Sequence, residues 1–383
     1  MRRQDLLPRL ASYLSSMELT VFCLIVLMIL TVACTLAQVS LGIHQAVEQY
    51  VRSFFVWWRP EGLPFALPIF PGGGLAGGLL VLNLGMVQFR RLEVSWRKAG
   101  LWIIHFGMAL LFIGEFATAF LQVESHLTIE EGQTMNYSVD PRRMELAVID
   151  ATDGDADDVR SIPTSMLKER TEISDASLPF ALRVQSYYEN AELRMRGSDD
   201  PPSMATAGVG TGVLARPAPR PLGEELDIPA ALIEPVARDG RSYGVFLVSP
   251  NLGAPQEFVH EGRRWLISLR PKRYYMPFSL TLKDFKHDVY PGTQIPKNFS
   301  SLVRLLDPRS QDDRDVLIYM NSPLRHGGLT FYQASFGKDN TLSVLQVVRN
   351  PSWTLPYISC ALVAIGLLWH FGLMLRRTLG GLS

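Results

Sequence analysis

The chain is poor in the residues that carry most recognisable chemistry. It has three cysteines in 383 residues, Cys23, Cys34 and Cys360, each inside an apolar run. They make no disulfide framework and no C-x-x-C pair, so packing roles are expected for all three. Neither sign of charge is in excess: 37 Lys and Arg face 37 Asp and Glu, with a pI near 7.1. A nucleic-acid binder would show a basic surplus, so that class is excluded. There is no Walker A loop, no Rossmann fingerprint, no H-E-x-x-H and no G-x-S-x-G, and no internal repeat. Apolar residues, by contrast, are abundant. They make up 47% of the chain and raise its mean hydropathy to +0.11, which excludes disorder for most of it.

Those residues are concentrated. Residues 20–47, 62–89 and 351–375 contain no Asp, Glu, Lys or Arg, and residues 99–123 contain one, Glu115. A bilayer core takes about 20 apolar helical residues, so each run can hold one membrane-spanning helix. The expected layout is three helices (about 19–40, 69–89 and 100–121) within residues 1–123. An extramembrane domain follows over 124–350, and a fourth helix lies within 351–383. Arg2, Arg3 and Arg9, then Arg90, Arg91, Arg97 and Lys98, then Arg376 and Arg377 fall on one side of such a layout. The positive-inside rule makes that side the cytoplasm. Both termini are then cytoplasmic, and the large domain faces the periplasm or exterior of a bacterial inner membrane. Trp57 and Trp58 suit the outer interface. Helix one reads as an anchor and not as a cleaved signal. The glycines at 72–74, 77 and 78 permit close helix approach or soften the entry turn.

The large domain reads as all-β. Short alternating runs bounded by turn residues recur at 144–149, 180–188, 243–249, 265–269, 278–282, 302–306, 316–320, 330–334 and 342–348. No long 3.6-residue pattern interrupts them, which predicts an antiparallel sandwich-like domain or an open barrel. Residues 198–222 are rich in Pro, Gly and Ala and are expected to form a flexible loop, and 153–158 an acidic hairpin tip.

Titratable groups inside the apolar runs are the clearest functional signal, because burying them in hydrocarbon is costly. His105 and Glu115 lie in the third run and His370 in the fourth. Counted from the flanking Lys98 and Arg376, the two imidazoles lie roughly 10 Å and 9 Å in, at matched depth. Neutral imidazole is a good axial ligand for haem iron, and apolar helix walls suit a porphyrin. Each histidine could equally hydrogen-bond a carbonyl. Glu115 is about 80° off the His105 face and could carry a proton, meet a haem propionate or a partner's cation, or simply pack. The remaining histidines, His44, His126, His260, His287 and His326, show no metal-ligand spacing. There is no C-x-x-C-H, so the chain does not itself carry covalent haem.

Near the end of the β domain, Tyr290-Pro291-Gly292-Thr293 is followed by Pro296, Phe299 and Ser301. Then comes Asn321-Ser322-Pro323-Leu324-Arg325-His326-Gly327-Gly328-Leu329-Thr330-Phe331-Tyr332-Gln333-Ala334-Ser335-Phe336. These strings, with a last helix introduced by Asn350-Pro351, resemble the ResB (CcsB) family of cytochrome c biogenesis proteins. Physically the longer string reads as strand, turn, strand, with aromatic packing. The resemblance implies one half of a system II cytochrome c synthase, a non-catalytic or co-catalytic subunit of a haem lyase complex. Its partner would be a ResC/CcsA-type membrane protein whose tryptophan-rich motif this chain lacks. Together they would move haem outward and present it to apocytochrome c, whose C-x-x-C-H thiols add to the haem vinyl groups. The resemblance assigns His105, within Gly100-Leu101-Trp102-Ile103-Ile104-His105-Phe106-Gly107, as an axial ligand of transiently bound haem b. His370 matches a second functional histidine. A permanent b-type haem anchor for electron transfer, and a haem-free scaffold whose β domain binds a partner, are the alternatives.

Overall fold

A computed structural model of the chain describes residues 6–58, 65–91, 93, 95–154, 156–219, 221, 223, 225–293, 296–337 and 341–380. They form two compact units.

The first unit is helical. Helices α1 (Leu6–Leu14) and α2 (Met17–Ala46) meet at an elbow where Ser16 caps α2 by accepting from the Leu19 N–H. Near its end α2 kinks at Gly42, whose φ of 77° suits glycine. A π-helical turn (Val47–Arg52) leads into the hairpin of β1 (Phe55–Trp58) and β2 (Leu67–Pro71). Then come α3 (Gly73–Arg91), α4 (Ala99–Leu121) and, after the second unit, α6 (Leu355–Gly380). Among the described residues three helical segments are long and apolar enough to cross a membrane: Met17–Arg52, Trp96–Leu121 and Leu355–Gly380. The segment expected to span at 69–89 is a helix only from Gly73, and Leu67–Pro71 is a strand. Its glycine-rich start and the polar Asn83 and Gln88 keep it below the apolarity of the other three.

Glycine shapes the packing of α4 on α6. Gly100, Gly107 and Gly114 recur every seven residues on α4 and are buried, as are Ser359 and Gly366 on α6. A β-carbon at Gly100 would lie 2.7 Å from the Gly366 carbonyl oxygen and 2.8 Å from the His370 nitrogen. One at Gly107 would lie 3.0 Å from the Ser359 carbonyl oxygen, and one at Gly114 would touch the Leu355 side chain. The two backbones therefore touch, as small-residue stripes permit. Polar side chains fasten α3. The Asn83 amide donates to the Leu14 and Ser16 carbonyls (2.8 and 2.9 Å), and its carbonyl accepts from Thr20 Oγ1 at 2.6 Å. Five residues on, Gln88 donates to the Trp102 carbonyl at 3.2 Å.

The second unit is the β-rich domain. Its strands are β3 (Val123–Glu130), β4 (Thr134–Asp150), β5 (Asp158–Pro163), β6 (Glu172–Ile173), β7 (Phe180–Tyr188), β8 (Ala191–Met195), β9 (Val213–Pro217), β10 (Ala230–Ala237), β11 (Phe246–Val248), β12 (Gln256–His260), β13 (Arg263–Val289), β14 (Pro296–Asp307), β15 (Asp312–Tyr319), β16 (Leu324–His326), β17 (Leu329–Gly337) and β18 (Leu342–Arg349). One short helix, α5 (Thr164–Glu169), follows β5. The largest sheet runs β15-β14-β13-β4-β3-β18-β17-β16, with β12 and β5 joining β13 and β4. A second sheet runs β11-β10-β7-β6, and the ladders β4–β13, β13–β14, β14–β15, β3–β4, β16–β17, β17–β18 and β7–β10 are antiparallel.

The long strands β4 and β13 serve two cores. One core lies between the two sheets and holds Leu146, Val148, Phe180, Leu182, Ile233, Trp265 and Ile267. The other is wrapped by the rest of the large sheet and holds Leu127, Ile129, Leu280, Val303, Ile318, Phe331 and Val347. The domain is thus a sandwich at one end and a curled sheet at the other. All nine expected strand segments fall in or overlap strands, but 265–269 and 278–282 belong to one continuous β13. Pro271 and Pro277 sit in its register shifts, where proline is tolerated.

Residues 198–222 are not the patternless loop expected from composition. Their described part holds a 3-10 turn (Val209–Gly212) and β9, which pairs with β8. Ser203 Oγ donates to the Gly210 and Val213 carbonyls, Gln256 accepts from the Val209 N–H, and Arg194 grips Asp200 through two hydrogen bonds. That pair holds the Asp200 pKa down at about 2. The Gln256 tether comes from 47 residues away, so local composition does not show it.

Candidate functional site

His105 sits in the second turn of α4, half-buried. Its Nδ1 lies 2.7 Å from the Leu101 carbonyl oxygen. A carbonyl only accepts, so Nδ1 carries a proton, and Nε2 has no hydrogen-bond partner among the described residues. A proton on Nδ1 is what a metal-ligating histidine carries when a backbone oxygen orients it. The bond comes from helix geometry, since residue i−4 places its carbonyl below the ring.

The face of α4 that carries His105 is not the one on α6. At 3.6 residues per turn His105 lies roughly 140° round from Gly100, on the side where α4 meets α3. There a β-carbon on Gly77 would come within 3.0 Å of the Phe116 ring, Gln88 reaches the Trp102 carbonyl, and the Phe89 and Trp102 rings meet edge to face at 5.9 Å.

His370 is placed differently. Its backbone packs against Gly100, so it lies level with the start of α4, and His105 is five residues, roughly 7 Å, farther along. The matched depth expected from the flanking charges is not found. That count took Arg376 as the end of α6, but α6 continues through Arg376 and Arg377 to Gly380. His370 is half-buried and edge-on to Phe371 at 5.5 Å. Beside it Trp369 donates to the Trp96 carbonyl, and the two indoles meet edge to face at 4.8 Å. The structure therefore does not bring His105 and His370 to one site. Glu115 is exposed, with no hydrogen-bond or ion-pair partner among the described residues.

The other histidines stand apart from one another. The described residues contain no cluster of His, Cys, Asp and Glu able to hold a metal ion. His260 Nδ1 and the Tyr243 hydroxyl share a hydrogen bond of 2.5 Å in the sandwich core. His326 donates from Nε2 to Asp307 at 2.9 Å, and that bond, with further donors around it, holds the Asp307 carboxyl down at about 2.

The string Asn321 to Phe336 proves to be a folding element. Asn321, Gly327 and Gly328 have positive φ (63°, 58° and 75°) at the turns. Phe331 is fully buried, and Phe336 lies 4.2 Å from the His287 ring. Ser301, Gln333 and Ser343 close a polar triad, with Ser301 donating to Gln333 at 2.7 Å. Asn83, Gln88 and the seven-residue glycine spacing escaped sequence reasoning. Only the spacing left a signal that could have been read.

Comparison with known proteins agrees with the string. Residues 257–344 match the model of the ResB-like family. Protein NrfI of Wolinella succinogenes is 36% identical over 100 residues, which make up 26% of this chain and 11% of that protein. The matched segment thus spans about a tenth of the curated relative. Among solved structures, a cytochrome c heme lyase, CcmF, aligns with 77% of this chain and 30% of its own at 9% identity. Its TM-score of 0.22 carries no argument. The matched stretch lies within the β-rich unit, narrower than the whole-chain layout that the resemblance covers. Residues 257–344 of the β-rich unit are thus similar to the ResB-like family.

Proposed function

We propose that this chain is a membrane component of cytochrome c maturation. It holds haem within the bilayer on His105 and assists its delivery to apocytochrome c, together with a ResC/CcsA-type partner in a system II synthase. The observation that carries the reading is the unpartnered Nε2 of His105 on an apolar helix, its ring oriented by the Leu101 carbonyl, in a chain whose residues 257–344 match the ResB-like family.

In this reading α3 is the fourth span. Its 19 residues reach roughly 28 Å, close to the ~30 Å hydrocarbon core. The arginine clusters set the termini in the cytoplasm, and the β-rich unit is exported into the periplasm or exterior. Haem is cargo, and its bound form supplies the iron to which an imidazole nitrogen can bind. His105 provides one axial nitrogen, and a partner histidine provides the other. His370 lies about five residues away in level and on the α6 side, which disfavours both histidines ligating one iron in this chain. That separation also speaks against a permanent b-type haem held by the chain alone. Glu115 is available to a cation of the partner. The β-rich unit positions the apocytochrome segment, an orientation effect.

The test is the Soret and α-band spectrum of the purified chain, alone and co-expressed with a ResC/CcsA-type partner, for wild type, His105→Ala and His370→Ala. The proposal expects haem only with the partner, lost in His105→Ala and retained in His370→Ala. Haem bound by the chain alone and lost in either variant would establish the anchor reading. Haem absent from every preparation would leave a scaffold.

A further inference from the structure

We infer that the β1–β2 hairpin is seated in the headgroup layer of the outer leaflet, with phospholipid covering its exposed aromatic side chains. The inference rests on reading α3 and α4 as membrane-spanning helices. The hairpin and both helices belong to the first unit.

Backbone contacts fix the level of the hairpin. The Gly72 N–H donates to the Phe54 carbonyl at 2.8 Å, and the Gly74 N–H donates to the Ser53 carbonyl at 3.0 Å. A β-carbon at Gly73 would collide with the Val51 carbonyl oxygen. The base of the hairpin is therefore locked to the first turn of α3. From Gly73 to Arg90 that helix rises roughly 26 Å, close to the thickness of the ~30 Å hydrocarbon core. The hairpin thus stands at the membrane face opposite the arginine cluster. Helix α4 gives the same level. A β-carbon at Gly77 would meet the Phe116 ring at 3.0 Å, so Gly73, about one turn earlier, is level with the last turn of α4, which ends at Leu121. Helix α2 agrees. Val56 of β1 packs on Val26 and Leu30 of α2 and on Ala76 of α3. The Asn83 amide bonds the Ser16 carbonyl, which sets Ser16 about 10 Å above Arg90, and Val26 and Leu30 lie about 15–21 Å farther along α2.

Much of the hairpin is apolar and uncovered. Phe54, Phe55, Trp57, Trp58, Phe65 and Ile69 are exposed, Trp57 by 50%, Trp58 by 54% and Ile69 by 58%. Trp57 and Trp58 are consecutive and point to opposite faces, so neither face is covered at that end. The charged residues between Ser53 and Pro71 are Arg59 and Glu61 alone. Bulk water disfavours such a surface. Hydrocarbon is excluded as well. The hairpin is a two-stranded sheet, and each strand leaves a row of N–H and C=O groups along its outer edge that lipid tails cannot satisfy. The headgroup layer meets both demands, and tryptophan collects there in membrane proteins. A docked membrane helix would call for small residues that let backbones approach, whereas the exposed side chains here are bulky, with the Phe55 and Trp57 rings edge to face at 6.3 Å.

The test is tryptophan fluorescence of the full chain in phosphatidylcholine vesicles whose acyl chains carry a nitroxide either near the headgroup or near the bilayer centre. The hairpin signal is the difference between wild type and the double variant Trp57→Phe, Trp58→Phe. That signal is expected to be quenched about twice as strongly by the shallow nitroxide as by the deep one. Ile69→Trp adds a fluorophore to the intact hairpin and should show the same preference, which keeps the test independent of how the double variant folds. Stronger quenching by the deep nitroxide would overturn the headgroup seat. Absence of quenching by either would overturn lipid as the occupant, leaving water or a partner chain. Release of the chain from the vesicles by alkaline carbonate would overturn the spanning reading of α3 and α4, and the seat with it.

Discussion

Replacing Gly100 by alanine tests the α4–α6 seam. The new β-carbon would meet the Gly366 carbonyl oxygen at 2.7 Å and the His370 nitrogen at 2.8 Å. Ordinary contact begins near 3.4 Å, so the helices must separate by about 0.7 Å, and both obstacles are backbone atoms that cannot swing away. Overpacking of this kind costs about 1–3 kcal/mol, and Gly366→Ala, with its β-carbon 2.8 Å from the Gly100 carbonyl oxygen, should cost the same. Gly78 and Gly85 of α3 are internal controls. Nothing lies within 4 Å of a β-carbon at either, and alanine there should be neutral or stabilise by about 0.5–1 kcal/mol through helix propensity. The assay is reversible unfolding in mixed micelles, followed by far-UV circular dichroism. Gly100→Ala as stable as wild type, or no less stable than Gly78→Ala, would refute the close-approach argument.

Further consequences follow from buried groups. Asn83→Leu removes the hydrogen bonds to Thr20 and to the Leu14 and Ser16 carbonyls, leaving the Thr20 hydroxyl only its 3.3 Å bond to the Ser16 carbonyl, and should cost about 1–3 kcal/mol in the same micelle assay. Phe331→Ala empties the centre of the curled-sheet core and should cost about 3–5 kcal/mol, seen as faster proteolysis of the β-rich unit. Asp307 has its folded pKa lowered to about 2, first by the His326 hydrogen bond. Its contribution is therefore present above the ordinary carboxylate pKa near 3.8 and is lost as pH falls from there to about 2. Asp307→Asn should remove that part of the acid dependence of unfolding and leave stability near pH 7 lower than in wild type.

Much of the architecture was legible because period and composition encode it directly. The apolar runs gave the helices, and two-residue alternation located segments such as 180–188, which matches β7 residue for residue. What escaped was non-local. Alternation reads 265–269 and 278–282 as separate strands, whereas β13 is continuous through them, with Pro271 and Pro277 tolerated at its register shifts. The tethers of 198–222 come from partners such as Gln256, nearly fifty residues away. His105 was legible as a candidate, but its tautomer depends on a side-chain rotamer. The matched depth of His105 and His370 rested on assuming that helices end at charged residues, whereas α6 carries its arginines as helical residues past the level of α4. The string Asn321 to Phe336 was read as turn and packing, and the structure builds it so.

The central claim is that His105 presents Nε2 to haem iron within the membrane, with the opposite ligand supplied by the partner. The most direct measurement is the low-temperature electron paramagnetic resonance spectrum of ferric haem in the co-purified complex, for wild type and His105→Gly, with and without added imidazole. The account predicts a low-spin bis-histidine signal in wild type, its loss in His105→Gly, and its recovery with imidazole while His370→Ala keeps the native signal. An unchanged low-spin signal in His105→Gly without imidazole would contradict it.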